Sequence, residues 1–157
     1  MADFIIIFCA KYLLYISALA LGVYWLRSPR INRLEFAAAA AAALALAYAL
    51  ARLAGLFFSH YQPFATQGFD PLIPHAVDNS FPSDHAALAG ALAGVASLYN
   101  RGLGVLLWIL AVAVAAGRML AGLHYPVDVI VGLVLGGIAA AAAYWSIHLY
   151  FSTRSHT

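Results

Sequence analysis

Five apolar runs of about 20 residues, each long enough to cross a bilayer as a helix, take up most of this chain, at roughly 3–26, 35–58, 84–99, 102–121 and 126–151. The expected fold is an all-α integral membrane protein, a bundle of about five transmembrane helices forming a single domain over residues 1–157. Composition agrees, with 65% hydrophobic and 9% charged residues against roughly 45–50% and 25% in soluble domains. The first run contains Ala18-Leu19-Ala20, which resembles a signal-peptide cleavage site, but no cationic segment precedes it and it continues through Trp25 and Leu26. It is read as a span.

Orientation follows from the arginines. Arg27, Arg30 and Arg33 lie between the first two spans, and positive residues mark cytoplasmic loops. Alternating from there puts Arg101 and Arg154 inside as well, and leaves outside the 59–83 loop, which has Asp70 and Asp78 but no Lys or Arg. With five spans the N-terminus is expected outside.

Eight Lys and Arg against six Asp and Glu make no basic stripe of the kind nucleic-acid binders carry, so nucleic acid is excluded as a partner. Cys9, the single cysteine, can form neither an internal disulfide nor a cysteine metal cluster. The alanines from Ala37 to Ala43 and the G-x-x-x-G of Gly132 and Gly136 let helix backbones approach closely in lipid. Both are read as scaffold, the glycines packing against another helix of the same chain.

The remaining polar residues collect on the outer side. The long loop and the next helix start supply His60, Gln62, His75, Asp78, Ser80, Ser83, Asp84 and His85; the far end of the fourth span and the start of the fifth supply Arg118, His124 and Asp128. Spans three and five begin at this surface, near Pro82 and Pro126, with Ser80 or Ser83 as N-cap. Two helix N-termini facing one pocket would favour an anion such as phosphate. Asp128, four residues after His124, can orient its ring and leave the other nitrogen free to attack or to take a proton. His85 can act as general acid, and Arg118 can grip phosphate oxygens. Interfacial histidines are ordinarily solvated, and His60, His148 and His156 are read so.

Pro82-Ser83-Asp84-His85 and Gly117-Arg118, with His124-Tyr125-Pro126-Val127-Asp128 five residues on, resemble the P-S-G-H and S-R-x5-H-x3-D motifs of the type-2 phosphatidic acid phosphatase superfamily. Leu72-Ile73-Pro74-His75-Ala76 and Ser80 to Ala86 look like the branch that hydrolyses undecaprenyl diphosphate, where aspartate commonly stands at the Asp84 position. The resemblance implies His124 as nucleophile, Asp128 as the group that polarises it, and His85 as acid and then base. It implies Arg118 and Ser83 as phosphoryl holders; Asp84, His75, Gln62 and Arg52 are read as completing the substrate site. It further implies a lipid phosphate substrate, no metal and no cofactor, and a bacterial cytoplasmic membrane with the site facing out.

There are departures. The first motif, K-x6-R-P, would place its lysine at Gly55 and its arginine at Gln62, Gly117 replaces a serine, and the family core usually has six spans. Arg52, one turn before Gly55, is the candidate replacement cation. The alternatives are a phosphatase for another lipid phosphate such as phosphatidic acid or phosphatidylglycerol phosphate, metal-dependent hydrolysis through His85, His124, Asp84 and Asp128, a channel or transporter, and a non-catalytic lipid-phosphate binder.

Overall fold

The computed structural model describes residues 1–29 and 32–154. They form α1 (Ala2–Lys11), α2 (Leu13–Arg27), α3 (Arg33–Phe57), the short α4 (Pro63–Gln67), α5 (Asp84–Tyr99), α6 (Arg101–Leu120) and α7 (Pro126–Arg154). Three of these, α3, α6 and α7, are long and apolar enough to span a bilayer singly, and α1 with α2 makes a fourth span. The shorter α5 makes the fifth member of the bundle. It has 16 residues, about 24 Å at the helical rise.

Helix α5 is the axis of the bundle and packs against α2, α3, α6 and α7. A helix enclosed on every side needs no polar face, and its buried residues are nearly all small: Ala86, Ala87, Ala89, Gly90, Ala91, Ala93 and Ala96. Small side chains are what permit the closeness. A Cβ at Gly132 would fall 2.7 Å from the Ser83 carbonyl oxygen, and one at Gly136 would overlap the Ala87 carbonyl. The G-x-x-x-G face therefore packs within the chain, as expected. The alanine run of α3 works likewise, since Ala39, Ala43, Ala47 and Ala51 recur every fourth residue on its buried face. Ala47, Ala91 and Ala139 meet where α3, α5 and α7 converge.

The first span departs from expectation. It is two helices bent by 49° at Tyr12, although the residues there include no proline or glycine. In α2 the Ser17 hydroxyl donates back to the Leu13 carbonyl at 2.8 Å, an arrangement that bends helices. On the other side of the break, Ala10 is buried against Leu123, Phe64 and Ile73. The bend thus comes from packing at the end of the bundle where α1 seals the α6–α7 turn. That turn closes through Gly122, whose φ of 81° suits glycine.

At the opposite end, Asn32 caps α3 by accepting from the Leu34 and Glu35 amides at 3.2 Å, and Asn100 caps α6 through Leu103. His148 does not sit simply solvated here. Its Nδ1 lies 2.8 Å from Glu35 Oε1, and its ring stacks on Tyr144. His156 lies outside the described residues, as do Arg30 and Ile31 of the arginine-rich loop.

Candidate active site

The 59–83 loop is held to the helices by its own hydrogen bonds. Tyr61 and Asn79 form an isolated antiparallel bridge, and the Ser80 amide donates to the His60 carbonyl at 2.8 Å. Asn79 is the hub: its side-chain amide donates to the carbonyls of Gly55 and Phe81, and its Oδ1 accepts from the His60 and Phe81 amides. Ser83 then caps α5, its hydroxyl accepting from the Ala86 amide at 3.5 Å, while its own amide donates to the Asp128 carbonyl at 3.0 Å. The starts of α5 and α7 are thereby tied together.

A cavity of about 660 Å³ opens beside this junction, lined among others by Arg52, His75, Asp78, Asp84, His85, Arg118 and His124. His124 is almost fully buried, and its Nδ1 lies 2.9 Å from the Ser80 carbonyl oxygen. A carbonyl only accepts, so Nδ1 carries the hydrogen and Nε2 the lone pair. Nε2 in turn lies 3.3 Å from Arg118 Nη2, which donates to it. The same Nη2 lies 3.5 Å from His75 Nε2. Arg118 is buried and its Nε has no protein partner, so the guanidinium keeps donor capacity for an anion.

Asp128 is completely buried and sits behind His124. Oδ2 accepts from the Ser80 hydroxyl at 2.5 Å and from the Tyr125 amide at 2.9 Å, and it is 3.7 Å from His124 Nδ1. The expected carboxylate–imidazole pair is thus a 3.7 Å contact beyond hydrogen-bond distance, with the Ser80 carbonyl as the nearer partner of Nδ1. Among the described residues none of α7 lines the cavity, whereas Asp84 and His85 at the start of α5 do. The two-terminus expectation is corrected to one.

Other expectations shift with it. Ser83 is fully buried as a cap and is not among the cavity-lining residues, whereas Arg118 is. Gln62 is also buried and outside the lining. Its Nε2 donates to Asp78 Oδ1 and its Oε1 accepts from the Asp78 amide at 3.1 Å, which locks the loop leading to Ser80. Arg52 does reach the cavity, pairing through Nη1 with Asp84 Oδ2 at 3.3 Å, with its side chain 65% exposed. An ion pair that exposed is worth about 0–1 kcal/mol, so an incoming phosphate can compete for it. His75 has its pKa lowered, first by partial burial and then by the Arg118 charge.

Two of the departures have local causes. A Cβ at Gly117 would lie 2.7 Å from the Ala10 nitrogen, so α1 leaves no room for a serine. At Gly55 a Cβ would meet the Phe81 carbonyl at 3.0 Å and Asn79 at 3.1 Å, which shuts out a lysine unless the loop moves. Ser80, Asn79 and His60 were undervalued by sequence reasoning. The only available signal was their nearness to Ser83 and His85, because their partners lie up to 68 residues away, as His60 does from Asp128 at 3.0 Å.

Comparison with known proteins agrees with this architecture. Residues 36–151 match the PAP2 superfamily model. The chain is 40% identical over 143 residues to the bacitracin transport permease protein BcrC of Bacillus licheniformis, covering 90% of this chain and 70% of that protein. It is 36% identical to the undecaprenyl-diphosphatase BcrC of Bacillus subtilis, over 85% and 68%. Among solved structures, the crystal structure of Aquifex aeolicus LpxE aligns with a TM-score of 0.69 at 26% identity, covering 88% of this chain and 80% of the other.

Proposed function

This chain belongs to the PAP2 superfamily, and from that premise we propose that it removes the terminal phosphate of undecaprenyl diphosphate by way of a phosphohistidine. The observation that carries the reading is His124: its Nε2 holds a lone pair, faces Arg118 at 3.3 Å, and shares a cavity with His85. The substrate class is supported by the name of the Bacillus subtilis relative and by two guanidiniums, Arg118 and Arg52, on one cavity, enough for two phosphates.

The terminal phosphate displaces Arg118 from Nε2 and takes over its donors. His124 Nε2 then attacks the terminal phosphorus. As the N–P bond forms, the bond from phosphorus to the bridging oxygen breaks, and protonated His85 gives that oxygen its proton, releasing undecaprenyl phosphate. In the second half neutral His85 takes a proton from water while the water oxygen attacks phosphorus. The N–P bond breaks, its electron pair returns to Nε2, and inorganic phosphate leaves. Asp128 and the Ser80 carbonyl stabilise the positive charge that His124 carries while phosphorylated, and Arg118 stabilises the transferring phosphoryl group. No step requires a metal.

The site faces the extracytoplasmic side of the bacterial cytoplasmic membrane, following the arginine distribution. A transport reading, raised by the name of the Bacillus licheniformis relative, calls for ionisable groups threading the bundle. The middle of α5 is instead filled by Gly90, Ala91, Leu92 and Ala93, which favours hydrolysis.

The deciding experiment is phosphate release from undecaprenyl diphosphate by purified protein in EDTA-containing buffer. His124→Ala should lose at least about a thousandfold in rate, the scale on which deleting a nucleophile acts, and His85→Ala should also lose heavily. Full turnover by His124→Ala would end the mechanism. Equal rates on phosphatidic acid or phosphatidylglycerol phosphate would remove the diphosphate assignment.

A further inference from the structure

We infer that His60 is a positioning residue for this reaction, acting on His124 through Asp128; the inference rests on the proposed role of His124. Its Nε2 lies 3.0 Å from Asp128 Oδ1. Both atoms are buried, and neither is aligned in a hydrogen bond with any protein group. Two lone pairs held that close, shut off from water, would repel. Nε2 therefore carries a proton, and the contact is a polar N–H or imidazolium against a carboxylate.

Among the described residues Asp128 has no other partner for that oxygen, because the Ser80 hydroxyl and the Tyr125 amide both go to Oδ2. His60 thus fixes the rotation of the carboxylate about its own axis. That rotation matters to His124 because the Ser80 hydroxyl held by Oδ2 belongs to the residue whose carbonyl sets the His124 tautomer. His60 grips the same residue a second way, through its carbonyl and the Ser80 amide at 2.8 Å. Its ring is itself held edge-on to Tyr125 at 5.3 Å, with Phe81 beside it at 6.1 Å. His60 does not line the cavity, so substrate does not touch it, and its effect falls on turnover.

The experiment compares His60→Phe, which keeps an aromatic ring between Tyr125 and Phe81 but deletes the N–H, with His60→Gln, which returns a donor. His60→Phe should lower kcat on the order of 100-fold, the scale of a small misplacement of a reacting group, and move KM by less than about threefold. His60→Gln should recover at least about tenfold of that loss. A His60→Phe enzyme with kcat within about twofold of wild type overturns the inference, as does a loss confined to KM. His124→Ala in the same assay separates the two claims: if that variant turns over normally the function proposal falls, whereas a dead His124→Ala beside an unaffected His60→Phe removes only the role of His60.

Discussion

Residue chemistry in this site is governed by which donor reaches which lone pair. Gln62 stands where the first motif has arginine, and its amide bonds Asp78 reciprocally. Gln62→Arg would break that reciprocal pair, leave the Asp78 amide without its acceptor, and release the loop before Ser80. Losing such a hydrogen bond costs about 1–3 kcal/mol. Phosphate release by Gln62→Arg should therefore fall, and a rise would show that the cation is merely missing. His75 gives a pH prediction. Its pKa lies below the ordinary 6.5 through burial and then the Arg118 charge, so the neutral form is favoured. That contribution to stability is intact above 6.5 and is lost as pH falls through the depressed value. A bound sulfate offsets the Arg118 charge and raises the His75 pKa, so binding takes up protons and should tighten as pH falls below 6.5. Titration calorimetry at stepped pH checks this; affinity independent of pH would count against it.

At the scale of elements, the decisive contact is between α5 and α7, whose starts carry Ser83, His85 and Asp128. Their backbones touch because glycines meet alanines and carbonyls, and the alanine face of α3 closes the third side. Overpacking a tight interface costs about 1–3 kcal/mol. Gly136→Leu, where even a Cβ would overlap the Ala87 carbonyl, should reach or exceed that and lower the thermal midpoint in detergent. Gly22→Leu, in open space on α2, is the control and should leave it unchanged. The small-residue periodicity was legible in sequence, as was its intramolecular use. The break at Tyr12 was not, because it arises from α1 docking over the α6–α7 turn.

For the whole molecule, the cavity gathers α3, α5, α6 and the 59–83 loop at one end of the bundle, and Arg27, Arg33 and Arg101, at the end of α2 and the starts of α3 and α6, mark the other. The orientation proposed from them can be measured in intact cells. In a Cys9→Ala background, a cysteine at Val77 should react with a membrane-impermeant maleimide, and one at Gly102 should react only after lysis. The reverse pattern would place the site on the cytoplasmic face.

Sequence alone determined the helical bundle, because hydrocarbon-length apolar runs leave the chain few other states. It also supplied most of the groups proposed to react, since Arg118, His124 and Asp128 lie close together in the chain and His85 follows its helix start. Tertiary structure decided which nitrogen of His124 is free, that Ser80 and not Asp128 is its nearer partner, that Gln62 bonds Asp78 while Ser83 caps α5, and that His60 touches Asp128. Most of these rest on a contact between segments far apart in the chain. Hydropathy and motif spacing record which groups are present at one end of a bundle, while hydrogen-bond direction depends on ångström-scale placement that only the packed helices supply.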